Sequence, residues 1–417
     1  MTDQGYVRAL ERARFIMGPP RIKGMVVWSD AGLQSVRLLV DAFVSLVGER
    51  HRATVLEHGF LADGPAYREV FGGYANVYEV AADLGIHHES LLRPDNLVTT
   101  LQRMRTAGTD VPYIAVGGLL RRFDGRTPPL FRDRFIWPAV QLTQRVRPDR
   151  AVETLDFYRV VVERLLALAG LPALTVRTPA LADYGRVTYL VISALPNGRP
   201  TVLATLYLLA DGLRHALGEE LDVVDVGLTG KVLATVAMLH RDSRGLVLPA
   251  ALAPVQLSVI RGPRTEPAPA ARWLDALGER GIRVRTGPVA PTRSRRDRTE
   301  RGWHALGVPL VVGLDRHRTG EVIRAVRRPL TRTPLPGLPG PDDVCGDLAR
   351  HDGRLLRAGR ATLRSSLDAG GNVRAACPAC AESLAVFGTV VPARRARCAT
   401  CPAMGDVVFV SDEGRFY

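Results

Sequence analysis

Val187-Thr-Tyr-Leu-Val-Ile-Ser-Ala194 and Thr201-Val-Leu-Ala-Thr-Leu-Tyr-Leu-Leu209 are two runs rich in β-branched and aromatic residues, joined through Pro196-Asn-Gly-Arg199. Asn-Gly is the dipeptide that a tight hairpin turn prefers, so the two runs predict an antiparallel pair. A third such run, Leu174 to Arg177, lies just upstream. Upstream again, apolar residues at helical spacing predict helices from about Gly32 to Val47 (Val36, Leu38, Leu39, Ala42, Phe43, Leu46) and from about Val152 to Ala169, with a short strand at Ala53 to Leu56. Gly170-Leu-Pro172 ends the second helix. Hairpin strands with amphipathic helices to cover them predict an α+β fold built on an antiparallel sheet.

From Ala253 the pattern changes to alternation. Strands are expected at Val255 to Ile260, Ile282 to Arg285 and Val308 to Leu314, with helices at Ala270 to Gly281 and Asp297 to Leu306 between them. That order predicts a small α/β unit with a mixed or parallel sheet. Pro329, Pro334, Pro336, Pro339 and Pro341 then read as a stiff linker, followed by a helix from about Asp343 to Leu367.

The tail carries four of the five cysteines, in two knuckles, Cys377-Pro-Ala-Cys380 and Cys398-Ala-Thr-Cys401. Paired C-x2-C knuckles have the spacing of a four-thiolate structural zinc site, because each offers two sulfurs to one tetrahedral ion. Two disulfides or a redox pair are the competing readings. The fifth cysteine, Cys345, is expected to be a buried helix residue rather than a nucleophile.

At 417 residues the chain has room for two or three cores, and a mean hydropathy of +0.03 fits a soluble globular protein. No apolar run is read as a membrane span, and the N-terminus lacks a basic-then-apolar leader, so no membrane role and a cytoplasmic location are expected. The net charge is +14, almost all of it arginine, since Lys23 and Lys231 are the two lysines. Codon bias in a GC-rich genome accounts for part of that excess. The remainder favours a polyanionic partner, with tRNA the obvious one.

Several short segments, in this order, resemble prolyl-tRNA synthetases of the archaeal and eukaryotic type, which are class II enzymes. They are Ile22-Lys-Gly24, Gly59-Phe-Leu61, Leu92-Arg-Pro94, Pro129-Leu-Phe-Arg-Asp-Arg134, Gly227-Leu-Thr229 with Arg244-Gly-Leu-Val-Leu-Pro249, Trp303, Gly307-Val-Pro-Leu310 and the terminal Arg415-Phe-Tyr417. The resemblance runs from about residue 22 to the end. It implies a class II synthetase antiparallel-sheet core over 1–251, an anticodon-binding-like α/β domain over 252–328, a Pro-rich linker over 329–342, and a C-terminal helix with a zinc-type module over 343–417. It also implies a homodimer, an amino-acid substrate, ATP with magnesium, and tRNA.

Carried over residue by residue, the resemblance places the arginine that faces the α-phosphate at Arg121, where charge builds in the transition state. Arg132 and Arg134 keep the return strand's pair of arginines. The adenine-recognising carboxylate falls on Phe123, or on Asp124 with a one-residue slip. The third motif's arginine becomes Lys231, which keeps the charge but loses the planar fork of donors. The substrate side is altered more. The family's gating Leu-Arg-Pro-Thr-Ser-Glu reads Leu-Arg-Pro-Asp95-Asn96-Leu97, and leucine cannot hold an ammonium group. Later substrate-side positions read Gln141, Thr143, Val202, Tyr207 and Leu208, and the first motif's proline is Asp30. Asp95, Asp211 and Asp225 are the replacement carboxylates. Solvated surface or helix-cap roles remain open for each of these charged residues.

Two functions follow. One is an enzyme repurposed for amino-acid activation or aminoacyl transfer in specialised metabolism, rather than for ordinary prolyl-tRNA synthesis, because of the lost groups. The other is a non-catalytic pseudo-synthetase that binds tRNA or a partner protein. Arg293-Ser-Arg-Arg-Asp-Arg298 with Arg301 is the candidate phosphate-contacting run for either, with a solvated face as its ordinary alternative.

Overall fold

A computed structural model describes residues 5–18, 25–71, 77–80, 89–122, 130–131, 135–314, 322–327, 330–369 and 371–411. The two runs that predicted a hairpin form Gly185–Ala194 and Pro200–Leu209, paired antiparallel with Tyr189 opposite Leu206 and Leu190 opposite Thr205. Gly198 closes the turn at φ +81°, the left-handed region that glycine enters without a Cβ penalty.

This hairpin is the middle of a larger sheet. Among the described residues eleven strands share it, in the order Thr54–Leu56, Tyr113–Leu120, Phe135–Val146, Asp222–Thr229, Pro200–Leu209, Gly185–Ala194, Leu174–Arg177, Val386–Val391, Met404–Val410 and Val373–Ala376, with Arg395–Arg397 also paired to Met404–Val410. Only the first pair is parallel; all the others are antiparallel. The C-terminal strands therefore continue the central sheet, through Thr389 opposite Arg177 and Val391 opposite Thr175.

Helices cover the sheet. Ala151–Leu168 buries Leu155, Tyr158, Val162 and Leu166, spaced three and four apart, and Tyr158 donates to Gln144 Oε1 at 2.6 Å. Lys231–His240 is buried along nearly its whole length. Asp30–Gly48, at 19 residues, is long and apolar enough by length and composition alone to cross a membrane, a test that a buried core helix also passes. Here Val36, Leu39, Phe43 and Val47 belong to the main core, alongside Leu155, Val226 and Val232.

A second sheet has the order Val284–Thr286, Leu257–Arg261, Leu310–Leu314, Val322–Val326, Thr331–Leu335. Its first three strands are parallel and its last two antiparallel, so it is mixed. Pro267–Glu279 and Arg293–Ala305 are its helices. Two expectations meet the structure here. The proline-rich stretch, read as a stiff linker, packs on the second sheet, since Thr331–Leu335 is an edge strand and Trp273 Nε1 donates to Pro339 O at 2.7 Å. Proline is tolerated there because an edge strand has an unpaired side. Cys345, expected to be buried, is exposed on the 29-residue helix Pro341–Ala369.

The second sheet is tied to the core by Arg327, which is 1 % exposed. Its guanidinium donates twice to Asp242, at 2.6 Å each, and its Nε donates to His304 O at 3.1 Å.

Candidate functional site

The strands Tyr113–Leu120, Phe135–Val146, Asp222–Thr229 and Pro200–Leu209 floor a cavity of about 580 Å³. Asp95, Arg121, Gln141, Tyr207, Asp225 and Lys231 all line it. Six candidate residues from five separate stretches of sequence thus meet in one space.

The loop before helix Leu97–Ala107 fixes the first of them. Arg93 is 1 % exposed and donates to Gly59 O at 2.8 Å, to His58 O and Gly118 O at 3.1 Å each, and to Asn96 Oδ1. The arginine of Leu92-Arg-Pro94 is therefore a fastener between three backbone segments. Tyr67 OH adds a bond to Asp95 O. Held this way, Asp95 Oδ1 accepts from Leu97 N, the first amide of the helix, at 2.7 Å, while Oδ2 accepts from Arg121 at 3.3 Å. Arg121 Nε donates to Pro94 O at 2.7 Å. Leu97, at the family's glutamate position, is 0 % exposed in a satellite core with Leu101 and Met104.

Gln141 links the two acidic residues. Its Oε1 accepts from Asn96 N at 3.0 Å, which orients the amide. Its Nε2 then donates to Asp95 Oδ1 at 3.3 Å and to both Asp225 oxygens at 3.0 Å. Asp225 also accepts from Thr143 Oγ1 at 3.1 Å and Tyr184 OH at 3.4 Å. Burial, then the neighbouring Asp95 charge, push the Asp225 carboxyl up to about 7, against the pull of these donors. Tyr207 stacks edge-on against Tyr184 at 4.5 Å, and burial raises its phenol to about 12.

Lys231 enters from the opposite chemistry. Gly230 N donates to Pro138 O at 3.0 Å, and a Cβ on Gly230 would stand 3.0 Å from both Trp137 O and the Pro138 ring. Glycine there lets the helix Lys231–His240 begin directly at the cavity wall. Lys231 is 9 % exposed and its ammonium lies 5.7 Å from the Phe131 ring centroid. Leu130, Phe131, Phe135 and Trp137 make this side aromatic and apolar.

Asp211 does not join the group. It opens the helix Asp211–Ala216 with its side chain 59 % exposed, facing Arg186 at 3.7 Å and Arg214 at 3.5 Å, and it lies outside the cavity. Arg132, Arg134 and the Phe123 or Asp124 position lie outside the described residues. Tyr184 was missed from sequence; it sits in the turn before Gly185–Ala194, where no periodicity distinguishes it.

At the far end of the chain, the sulfurs of Cys377, Cys380, Cys398 and Cys401 lie within 4.8 Å of one another. Cys401 Sγ is 3.6 Å from Cys377 Sγ and 3.7 Å from Cys380 Sγ, and all four are free thiols, so the disulfide reading fails. A tetrahedral ion with Zn–S bonds of about 2.3 Å sets its sulfurs about 3.8 Å apart, and the cluster fits that spacing.

No family model matches the chain. In sequence it is similar to a proline–tRNA ligase of Aeropyrum pernix, 25 % identical over 357 residues, covering 76 % of this chain and 71 % of the relative. The corresponding ligase of Methanopyrus kandleri is 23 % identical, with 78 % and 72 % covered. The match to that of Ignicoccus hospitalis is 24 % identical and spans 44 % of this chain and less than half of the relative, 41 %. In structure, Cryptosporidium parvum prolyl-tRNA synthetase complexed with L-proline and AMP superposes with a TM-score of 0.77 at 16 % identity, covering 100 % of this chain and 95 % of that one. Giardia lamblia prolyl-tRNA synthetase in complex with prolyl-adenylate gives 0.71 at 15 %, covering 85 % and 80 %. The fold is that of a class II synthetase.

Proposed function

We propose that this divergent prolyl-tRNA-synthetase-like chain is an enzyme repurposed for amino-acid activation or aminoacyl transfer, and not for ordinary prolyl-tRNA synthesis. The observation that carries the reading is the shared cavity: Arg121 and Lys231 line the same space as Asp95 and Asp225, while the gating position is an apolar core residue, Leu97. Cations suit phosphate, and carboxylates suit an amine. Arg121 would meet the α-phosphate, Lys231 a second anionic group, and Asp95 and Asp225 the amino end of the substrate. ATP with magnesium, when bound, supplies the adenylyl group that activates a carboxylate. The two structural relatives are described with an adenylate or with proline and AMP, which supports a nucleotide at this place.

Pyrophosphate exchange across a broad amino-acid panel tests the reading. Exchange with an amino acid other than proline is expected, with proline weak or inert. No exchange with any amino acid would remove the activating reading.

One observation favours the alternative of a non-catalytic tRNA- or partner-binding protein: the Arg121 guanidinium already faces Asp95 and the Pro94 carbonyl. That reading gains if exchange is absent while tRNA binding persists. Cys377, Cys380, Cys398 and Cys401 would hold a structural zinc, which cross-links the tail and takes no part in the chemistry. A homodimer is the assembly this resemblance supports; sedimentation at micromolar concentration tests it, and a monomer would refute it.

A further inference from the structure

Among the described residues, the two carboxylates of the cavity are not equally paired. Asp95 has a cation, Arg121, at 3.3 Å. Asp225 is 2 % exposed, and among the described residues no lysine or arginine lies within 4.0 Å of it. Its partners, Gln141, Thr143 and Tyr184, are all neutral donors. Hydrogen bonds of this kind satisfy lone pairs but supply no countercharge in a poorly solvated wall, where a carboxyl either keeps its proton or pairs with a cation. The wall still opens on the cavity, so the partner can arrive with a ligand. Gln141 Nε2 reaches both carboxylates, which places Asp95 and Asp225 close enough for one small donor group to touch both. Meanwhile the gating position has become Leu97, buried and without a donor or acceptor side chain.

We propose that the Asp95–Gln141–Asp225 wall is a receptor for an ammonium group, that amine recognition has moved there from position 97, and that Asp225 is the residue that selects for it. The substrate class is then an acyl group bearing a free amine, with its carbonyl end directed towards Arg121. An ammonium group placed there gains charge-assisted hydrogen bonds to Asp225, and the isosteric desamino acyl group gains none. The inference rests on the adenylate-type reading of the cavity and adds the residue that sets its selectivity.

The test uses full-length protein and isothermal titration with matched non-hydrolysable adenylate mimics. These are L-prolyl- and L-alanyl-sulfamoyl adenosine against their desamino counterparts, cyclopentanecarbonyl- and propionyl-sulfamoyl adenosine. Wild-type protein should bind at least one aminoacyl compound about 10- to 100-fold tighter than its desamino partner, the range of a hydrogen bond to a charged group. In Asp225→Asn that ratio should fall to within about threefold, while affinity for the desamino compound is unchanged. Asp211→Asn, outside the cavity, should keep the wild-type ratio. Equal affinity of both members in wild-type protein would overturn the ammonium receptor and leave the nucleotide reading standing; this comparison needs no variant. A preference that survives in Asp225→Asn would overturn the role of Asp225. Failure of all four compounds to bind would overturn the adenylate reading, and this inference with it.

Discussion

A single carboxylate, Asp225, joins stability to selectivity. Its proton is held up to about 7, against an ordinary value near 3.8, because ionising it means placing charge in a buried wall beside Asp95. The native state therefore binds this proton more tightly than the unfolded chain does. Stability from this group is complete below the unfolded value and is lost as pH rises through about 7. Asp225→Asn removes that loss. We expect the variant to gain on wild type by a few kcal/mol between pH 4 and pH 8, since each tenfold difference in proton affinity between the folded and unfolded chain is worth roughly 1.4 kcal/mol. Thermal midpoints of the two proteins, measured across that range, should diverge by a few degrees on the alkaline side. A constant gap at every pH would show that Asp225 stays paired and ionised. Arg93 carries a different lesson at this scale: a basic residue in a motif serves as a backbone clamp, satisfying four acceptors from within the fold.

Among elements, those that alternate or repeat cleanly were legible. Leu174–Arg177 has its expected bounds, and the helix Ala151–Leu168 differs from its expectation by one residue at each end. The three strands that floor the cavity beside the hairpin were not singled out, and the reason is physical. Phe135–Val146 carries Pro138, Gln141, Thr143 and Gln144, and Asp222–Thr229 carries Asp222 and Asp225, so buried polar groups, of which Gln141 and Asp225 line the cavity, break the alternation a strand normally shows. Tyr113–Leu120 is apolar on both faces and interrupted by Gly117 and Gly118, which is ambiguous between strand and turn. Gln141 and Asp225, which help to make the site, are among the residues that hid its strands. The cysteine cluster was legible because paired C-x2-C spacing alone marks a candidate four-thiolate site. The two knuckles also lie after Val373–Ala376 and before Met404–Val410, strands that pair with each other next to Val386–Val391, the strand through which the tail joins the sheet. Chelation should release about one zinc ion per chain and abolish amide-exchange protection over 373–410, with protection in Gly185–Ala194 retained. Absence of metal in freshly purified protein, with the same protection before and after chelator, would remove the zinc proposal. Exposed Cys345 should react with iodoacetamide before chelation and the other four only after it.

Across the whole molecule, the charge of +14 is distributed unevenly in use. Much of the arginine is engaged internally: Arg93 on backbone, Arg121 on Asp95, Arg145 on Glu219 at 2.9 Å, Arg327 on Asp242. The basic run on Arg293–Ala305 divides in the same way. Arg296 is 6 % exposed and turned into the fold, and Asp297 and Glu300 of the same helix pair with Arg332 at 3.4 and 2.9 Å. Arg293, Arg295, Arg298 and Arg301 remain exposed. The proposed tRNA contact therefore narrows to these side chains. Each phosphate neutralised releases counterions, so affinity should fall with salt by close to one logarithmic unit per contact for each tenfold rise in concentration. A triple variant, Arg295→Ala with Arg298→Ala and Arg301→Ala, should weaken tRNA binding at low salt about tenfold or more and flatten that slope by about two to three. Its unfolding midpoint should stay within a degree or two of wild type, because none of the three is buried. Titrations of wild-type and variant protein against tRNA at 50, 100 and 200 mM salt decide the matter. A reduced affinity with an unchanged slope would mean these arginines act on the helix and not on phosphate, and an unchanged affinity would place any RNA contact on another face of the protein.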